Sequence, residues 1–329
     1  MNRPITPAPP RRSTLVLLTG ILAMLASSLL LSSRPARPAR AEYRILCSFL
    51  PVYVFALNVV GDAPGVDVDV LLSPDLGCPH EYALRPRDVV RANAADLVVL
   101  NGLGAEPFAD KLVSGRRPGE VMTISDDAET IPLTPDDEDG AGHDHEGGHQ
   151  GHRHGTVNPH VWASPAQAAR QVRTLARKLA EADPPRAARY RANGEAYARR
   201  LEALADRMRA AAQSFRGRAI VTFHDAFAYL ARDLDLRVAA TLTVDPQGNL
   251  SAARMAELMR IIREQHVAAV FYEPAYSGVV ARTLAEQTGV PAYPLNPFNY
   301  AAGRPDAGAY ERVMEENLRT LLRALGDGS

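Results

Sequence analysis

Polar and apolar positions along the chain fall into two alternating periods. From Tyr43, short runs rich in Val, Ile and Leu at 44–48, 66–72, 97–101 and 121–124 are separated by segments of helix formers such as 86–94. Strands alternating with helices build a mostly parallel sheet covered on both faces, so this stretch reads as a first α/β lobe. After Gly217 the alternation resumes, with strands predicted at 219–222, 237–243, 268–272 and 291–295 and helices at 226–233, 251–265, 278–288 and 307–324. That is a second lobe of like pattern, although no sequence repeat links the two.

Two helices are predicted ahead of the second lobe, at 165–182 and 185–213, separated by Asp183-Pro184-Pro185. The proline pair stops the first helix and can open the second at its first turn. In the second, Tyr197, Leu201, Leu204, Ala205 and Met208 form one apolar stripe. A helix of nearly thirty residues spans about 45 Å at ~1.5 Å per residue, more than one lobe needs, and is read as a connecting strut. Residues 125–159 break the pattern: the acidic run Asp136-Asp137-Glu138-Asp139 precedes His143, His145, His149, His152 and His154 among glycines. A solvated, mobile loop is expected over 136–156. The expected organisation is a leader over 1–41, a lobe over 43–182, a linker helix over 185–213 and a lobe over 215–326.

With 46% hydrophobic and 23% charged residues in 329, the chain has the composition of a globular protein, which excludes a coiled coil, a collagen and a disordered tail. Only 14–31 is apolar enough to meet a membrane; it follows Arg11 and Arg12, and the segment after it ends in Ala39-Arg40-Ala41. This is the layout of a secretory signal peptide, the alternative being an uncleaved N-terminal anchor; either places the body outside the cytoplasm, in the periplasm. Removing residues 1–41 takes away six arginines and no acid, leaving 31 basic against 38 acidic residues, a net charge of −7. Without a basic run, that charge argues against nucleic acid or an anionic membrane as partner. In an exported chain, Cys47 and Cys78 read first as one disulfide, worth about 3–4 kcal/mol in the chain-entropy picture. Two buried thiols, or a metal-ligand role for Cys78, stay open as alternatives, since Cys78 lies two residues from His80.

Three histidines outside the loop stand where an α/β sheet places functional groups, just beyond strand C-termini or before a helix. His80 lies in Cys78-Pro79-His80-Glu81-Tyr82, His160 in Asn158-Pro159-His160-Val161-Trp162, and His224 follows Val221-Thr222-Phe223. Three neutral imidazoles from separate loops make a zinc shell if they converge. His266, at the end of a predicted helix, is read as structural.

The strings Pro79-His80-Glu81-Tyr82, Leu84-Arg85-Pro86-Arg87-Asp88 and Ala94-Ala95-Asp96-Leu97-Val98-Val99 resemble the first lobe of the periplasmic binding proteins of zinc and manganese ABC importers. The acidic and His-rich loop, Asn158-Pro159-His160-Val161-Trp162, Thr222-Phe223-His224-Asp225-Ala226-Phe227 and Phe271-Tyr272-Glu273-Pro274 follow in that family's order. The resemblance covers about 43–325. It implies two small α/β lobes joined by one long rigid helix, metal in the cleft between them, and His80, His160 and His224 as metal ligands. Manganese-type members resemble two histidines plus two carboxylates, with Glu at the third motif position and Asp near the end of the last strand. Here those positions hold His224 and Asn296, which favours Zn2+ over Mn2+. Some zinc members carry Glu before the first histidine, where this chain has Pro79. The fourth ligand is therefore open among water, Glu81, Asp225 and Glu273, the last also suited to orienting an imidazole or capping a helix.

The resemblance implies a monomer that captures zinc and delivers it, without turnover, to an ABC permease. Two other readings are a zinc buffer or chaperone working through the His-rich loop, and a three-histidine zinc hydrolase. The hydrolase reading finds no His-Glu-x-x-His helix, Gly-x-Ser-x-Gly elbow or phosphate loop to support it.

Overall fold

A computed structural model describes residues 43–133, 156–242 and 250–326. The leader expected at 1–41, the five loop histidines and Thr243 lie outside these. The first sheet belongs to β1 (Tyr43–Cys47), α1 (Leu50–Val60), β2 (Val66–Val70), α2 (Pro86–Ala94), β3 (Leu97–Leu100), α3 (Ala109–Val113) and β4 (Val121–Thr123). Two long helices follow, α4 (Pro165–Ala182) and α5 (Ala187–Ala212). The second sheet belongs to β5 (Ala219–Thr222), α6 (Ala228–Asp233), β6 (Arg237–Thr241), α7 (Ala252–Glu264), β7 (Ala269–Tyr272), α8 (Val279–Thr288), β8 (Ala292–Pro294) and α9 (Ala309–Leu325).

The sheets have the same topology, in order β2-β1-β3-β4 and β6-β5-β7-β8, with all pairs parallel. In such an order the winding reverses between the first and third strands, leaving a crevice at their C-terminal ends. Ser48 and Asn101 follow β1 and β3 at one crevice, and Phe223-His224 and Glu273 follow β5 and β7 at the other.

Strand alternation explains how the lobes are joined. In β5, Ile220 packs into the large core that contains the first lobe, while Ala219 and Val221 point to a smaller core with Leu258, Ile262 and Leu284. In β7, Ala269 and Phe271 enter the large core and Val270 the smaller one. Neighbouring strand residues face opposite sides, so the inner face of the second sheet shares one apolar core with the first lobe. Opening the lobes would expose that shared surface at about 25 cal/mol per Å2, which opposes a wide hinge motion.

The helix expected over 185–213 runs Ala187–Ala212 between 3-10 turns at Pro184–Arg186 and Gln213–Phe215. Its stripe, Tyr197, Leu201, Leu204, Ala205 and Met208, is buried. Gly194 lets α5 lie close to α4, since a Cβ there would stand 2.3 Å from the Ala176 Cβ. The expected disulfide is not formed: Cys47 and Cys78 are both free and buried. Cys47 is committed to the apolar core at the end of β1, and Cys78 turns instead to His160.

Candidate metal centre

His80 sits in the 3-10 turn Pro79–Glu81 after β2. Gly77 makes that entry possible: its φ of +83° is left-handed, and a Cβ there would stand 3.4 Å from the Ala275 Cβ of the second lobe. The first lobe's loop is thereby brought against the segment that follows Glu273.

His160 precedes the 3-10 turn Val161–Ala163 that leads into α4, whose N-cap Ser164 accepts from the Gln167 N–H. Its backbone N–H donates to Asn158 Oδ1 at 2.9 Å, and its ring Nδ1 lies 2.9 Å from the same oxygen. Asn158 is itself fixed from the second lobe, donating to the Asp225 carbonyl at 2.9 Å while its own carbonyl accepts from the Tyr229 hydroxyl at 2.6 Å. From the first lobe, Asn101 donates to the Pro159 carbonyl at 3.2 Å. Behind Asn101, the buried Glu106 accepts from the Ser48 hydroxyl at 2.6 Å and the Asn101 N–H at 2.7 Å. Burial raises the Glu106 pKa, and those donors partly offset the rise. With its Nδ1 side engaged by an acceptor, His160 presents Nε2 to the cleft.

His224 is the extended residue between β5 and the 3-10 turn Asp225–Phe227. Its Nδ1 is paired with Glu273 Oε1, and Glu273, 0% exposed, also accepts from Asn299 Nδ2 at 3.0 Å. This carboxylate–imidazole pair fixes the tautomer with the proton on Nδ1. The opposite atom, His224 Nε2, is buried and has no hydrogen-bond partner of normal geometry among the described residues.

The imidazoles converge. His80 and His160 have their Nε2 atoms 3.3 Å apart, and ring centroids are 5.1 Å apart for His80–His160 and 5.0 Å for His160–His224. Two nitrogens on one tetrahedral zinc at ~2.0–2.1 Å stand about 3.3–3.4 Å from each other, so the closest pair already has the spacing of a coordination edge. Among the described residues, Cys78, His160 and His224 form a group of donors, one atom from each lying within 4.8 Å of the others. His80 borders this trio through His160.

Of the other acidic candidates, Glu273 engages the Nδ1 side of His224 and Asp225 lies 3.6 Å from the Nδ1 side of His160. Both stand behind the rings, away from the Nε2 atoms. The Glu81 side chain lies outside the described structure. Asn296 is occupied elsewhere, its side chain accepting from the Phe298 N–H at 2.9 Å and donating to the Tyr300 carbonyl at 3.0 Å. His266 closes α7 in a left-handed conformation, φ 50°, and belongs to the turn into β7.

Protonation follows these surroundings. Burial, then the neighbouring His224 and His80, hold the His160 pKa well below the ordinary histidine value, so its ring is neutral. Burial would also lower His224, but the Glu273 carboxylate outweighs it, with help from the Cys78 thiol, and holds its pKa well above the ordinary value. Burial pushes the Cys78 thiol up, with His224 opposing. A metal entering here meets a ready lone pair on His160 and must displace a proton at His224.

Sequence reasoning missed the supports Asn158, Asn101, Glu106 and Asn299. Asn158 alone carried a local signal, standing two residues before His160 where an Asx side chain can accept from the backbone; the others meet the site only through tertiary packing.

The zinc-binding lipoprotein AdcA of Streptococcus pneumoniae is 30% identical over 303 residues, covering 92% of this chain; the chain spans 59% of that protein's length. The high-affinity zinc uptake system protein ZnuA of Bacillus subtilis is 28% identical over 288 residues, 86% of this chain and 88% of that protein. Among solved structures, the solute-binding protein FpvC of Pseudomonas aeruginosa in complex with Ni2+ superposes with a TM-score of 0.70 at 30% identity, covering 86% of this chain and 96% of that one. The profile of the zinc-uptake complex component A periplasmic family matches residues 45–324, and the chain belongs to that family.

Proposed function

We propose that the protein is the zinc-capturing component of an ABC importer, exported by the leader at 1–41, which binds Zn2+ in the cleft as a monomer and delivers it to a membrane permease. His80, His160 and His224 are the histidine ligands, and Glu273 orients His224. The observation that carries this reading is the convergence of the three rings, with His80 and His160 Nε2 3.3 Å apart and the His160 and His224 ring centroids 5.0 Å apart, while acceptors engage His160 and His224 from behind. Among the described residues the group of three donors is Cys78, His160 and His224, with no carboxylate among them, which suits zinc better than manganese. Binding without turnover agrees with the family, whose relatives are named as zinc-binding and zinc-uptake components.

The test is calorimetric titration of metal-free residues 42–329 lacking 142–155 with zinc and then manganese, beside the same protein carrying His224→Ala. One tight zinc site, little manganese heat and a large loss in the variant are expected. No tight site once the His-rich tract is gone would move the function to that tract, as a zinc buffer. Zinc-dependent ester hydrolysis lost in His224→Ala would move it to an enzyme.

A further inference from the structure

Cys78 has no place in the histidine set, yet its surroundings are those of a ligand. It is 7% exposed but belongs to neither apolar core, unlike Cys47, which is packed into the larger one. Its Sγ lies 3.9 Å from His160 Nε2, and Sγ, a His160 nitrogen and a His224 nitrogen are mutually within 4.8 Å. Around a tetrahedral zinc with Zn–S ~2.3 Å and Zn–N ~2.0–2.1 Å, sulfur and nitrogen stand about 3.5–3.6 Å apart. A movement of a few tenths of an ångström brings the sulfur to that edge with His160. The backbone on either side is constrained, with Gly77 left-handed and Pro79 following directly. Of the described non-histidine donors, Asp225 and Glu273 serve the Nδ1 sides of His160 and His224, whereas the thiol groups with a nitrogen of each ring, Nε2 in His160.

We propose that Cys78 is a zinc ligand, completing a three-histidine, one-thiolate site; this rests on the zinc-capture reading and names its fourth donor. On binding, the S–H bond breaks, the sulfur lone pair goes to the metal and the proton to solvent. A thiolate is a soft donor and favours zinc over harder divalent cations.

The experiment uses the mature chain with one equivalent of Co2+ in oxygen-free buffer, as wild type, Cys78→Ser and Cys47→Ala. A near-ultraviolet thiolate-to-cobalt charge-transfer band is expected in wild type and Cys47→Ala and absent in Cys78→Ser, whose zinc affinity falls at least tenfold while its far-ultraviolet dichroism is unchanged. Cobalt d–d absorption in the wild type without that band, or a band that survives in Cys78→Ser, overturns the assignment and leaves the three histidines standing. The His-rich tract cannot imitate the band, since it contains no cysteine. No tight cobalt or zinc site in any of the proteins overturns the zinc-capture reading and this ligand together.

Discussion

Replacing Glu273 with Gln removes the charge behind His224 while keeping nearly the same shape. Glu273 is wholly buried between His224 Nδ1 and Asn299 Nδ2. The amide oxygen of Gln can still accept from His224, and the Asn299 side chain, whose Oδ1 is buried without a hydrogen-bond partner among the described residues, can turn to accept from the Gln amide. The pocket therefore survives, and what is lost is the carboxylate that makes His224 basic. Changes of this kind behind a ligating histidine typically cost 10–100-fold in metal affinity, about 1.4–2.7 kcal/mol.

The same change alters proton release. With Glu273 present, the His224 pKa is held well above the ordinary value, so at pH 7 zinc must expel its proton. Wild-type affinity is thus expected to fall as pH drops below that raised pKa, with His160 contributing nothing because it is already neutral. Without Glu273, burial dominates and His224 is neutral before zinc arrives. The ion pair also links pH to the stability of the metal-free protein. A folded pKa above the unfolded one stabilises fully below the unfolded value near 6.5 and is lost as pH rises through the folded pKa. Calorimetry at pH 7 in buffers of different ionisation enthalpy reads these terms. Glu273→Gln should release about one proton fewer per zinc, bind 10–100-fold more weakly, and lose more metal-free stability at pH 6 than at pH 9. Unchanged affinity together with an unchanged proton count would refute the pairing of Glu273 with His224.

Three further outcomes are expected. Gly194→Ala places a methyl 2.3 Å from the Ala176 Cβ; overpacking of about 1–3 kcal/mol should outweigh the ~1 kcal/mol gain in helix propensity and lower the melting temperature, and a rise would show that α4 and α5 separate freely. Trp162, the only tryptophan, has its ring centroid 5.1 Å from that of His160, so zinc should change its emission, and the change should vanish in His160→Gln; a zinc-insensitive spectrum in the wild type would count against His160 as a ligand. Unfolding without reductant should expose two titratable thiols per chain, and none would restore the disulfide.

Strand and helix alternation was legible because each period reports which face of an element is buried. Helix α4 lies at the expected residues, and the stripe of α5 from Tyr197 to Met208 is buried. α1 was not legible: nine of its eleven residues are buried, it has no polar face, and its valines and aromatics suit a strand equally well. The order of strands was equally hidden, since pairing in a parallel sheet joins residues far apart in the chain.

The sequence by itself determined most element types, the two-lobed plan and the three histidines that follow strands or open helices, because these depend on local periodicity and residue chemistry. Tertiary structure alone decided which atoms face one another. Whether Cys78 meets Cys47 or His160, and whether Glu273 and Asp225 stand in front of the imidazoles or behind them, depends on how the Gly77 turn packs against Ala275 and how Asn158 is held by both lobes. Coordination and pKa are set by separations of a few ångströms between segments distant in the chain, a scale that only the packed core fixes.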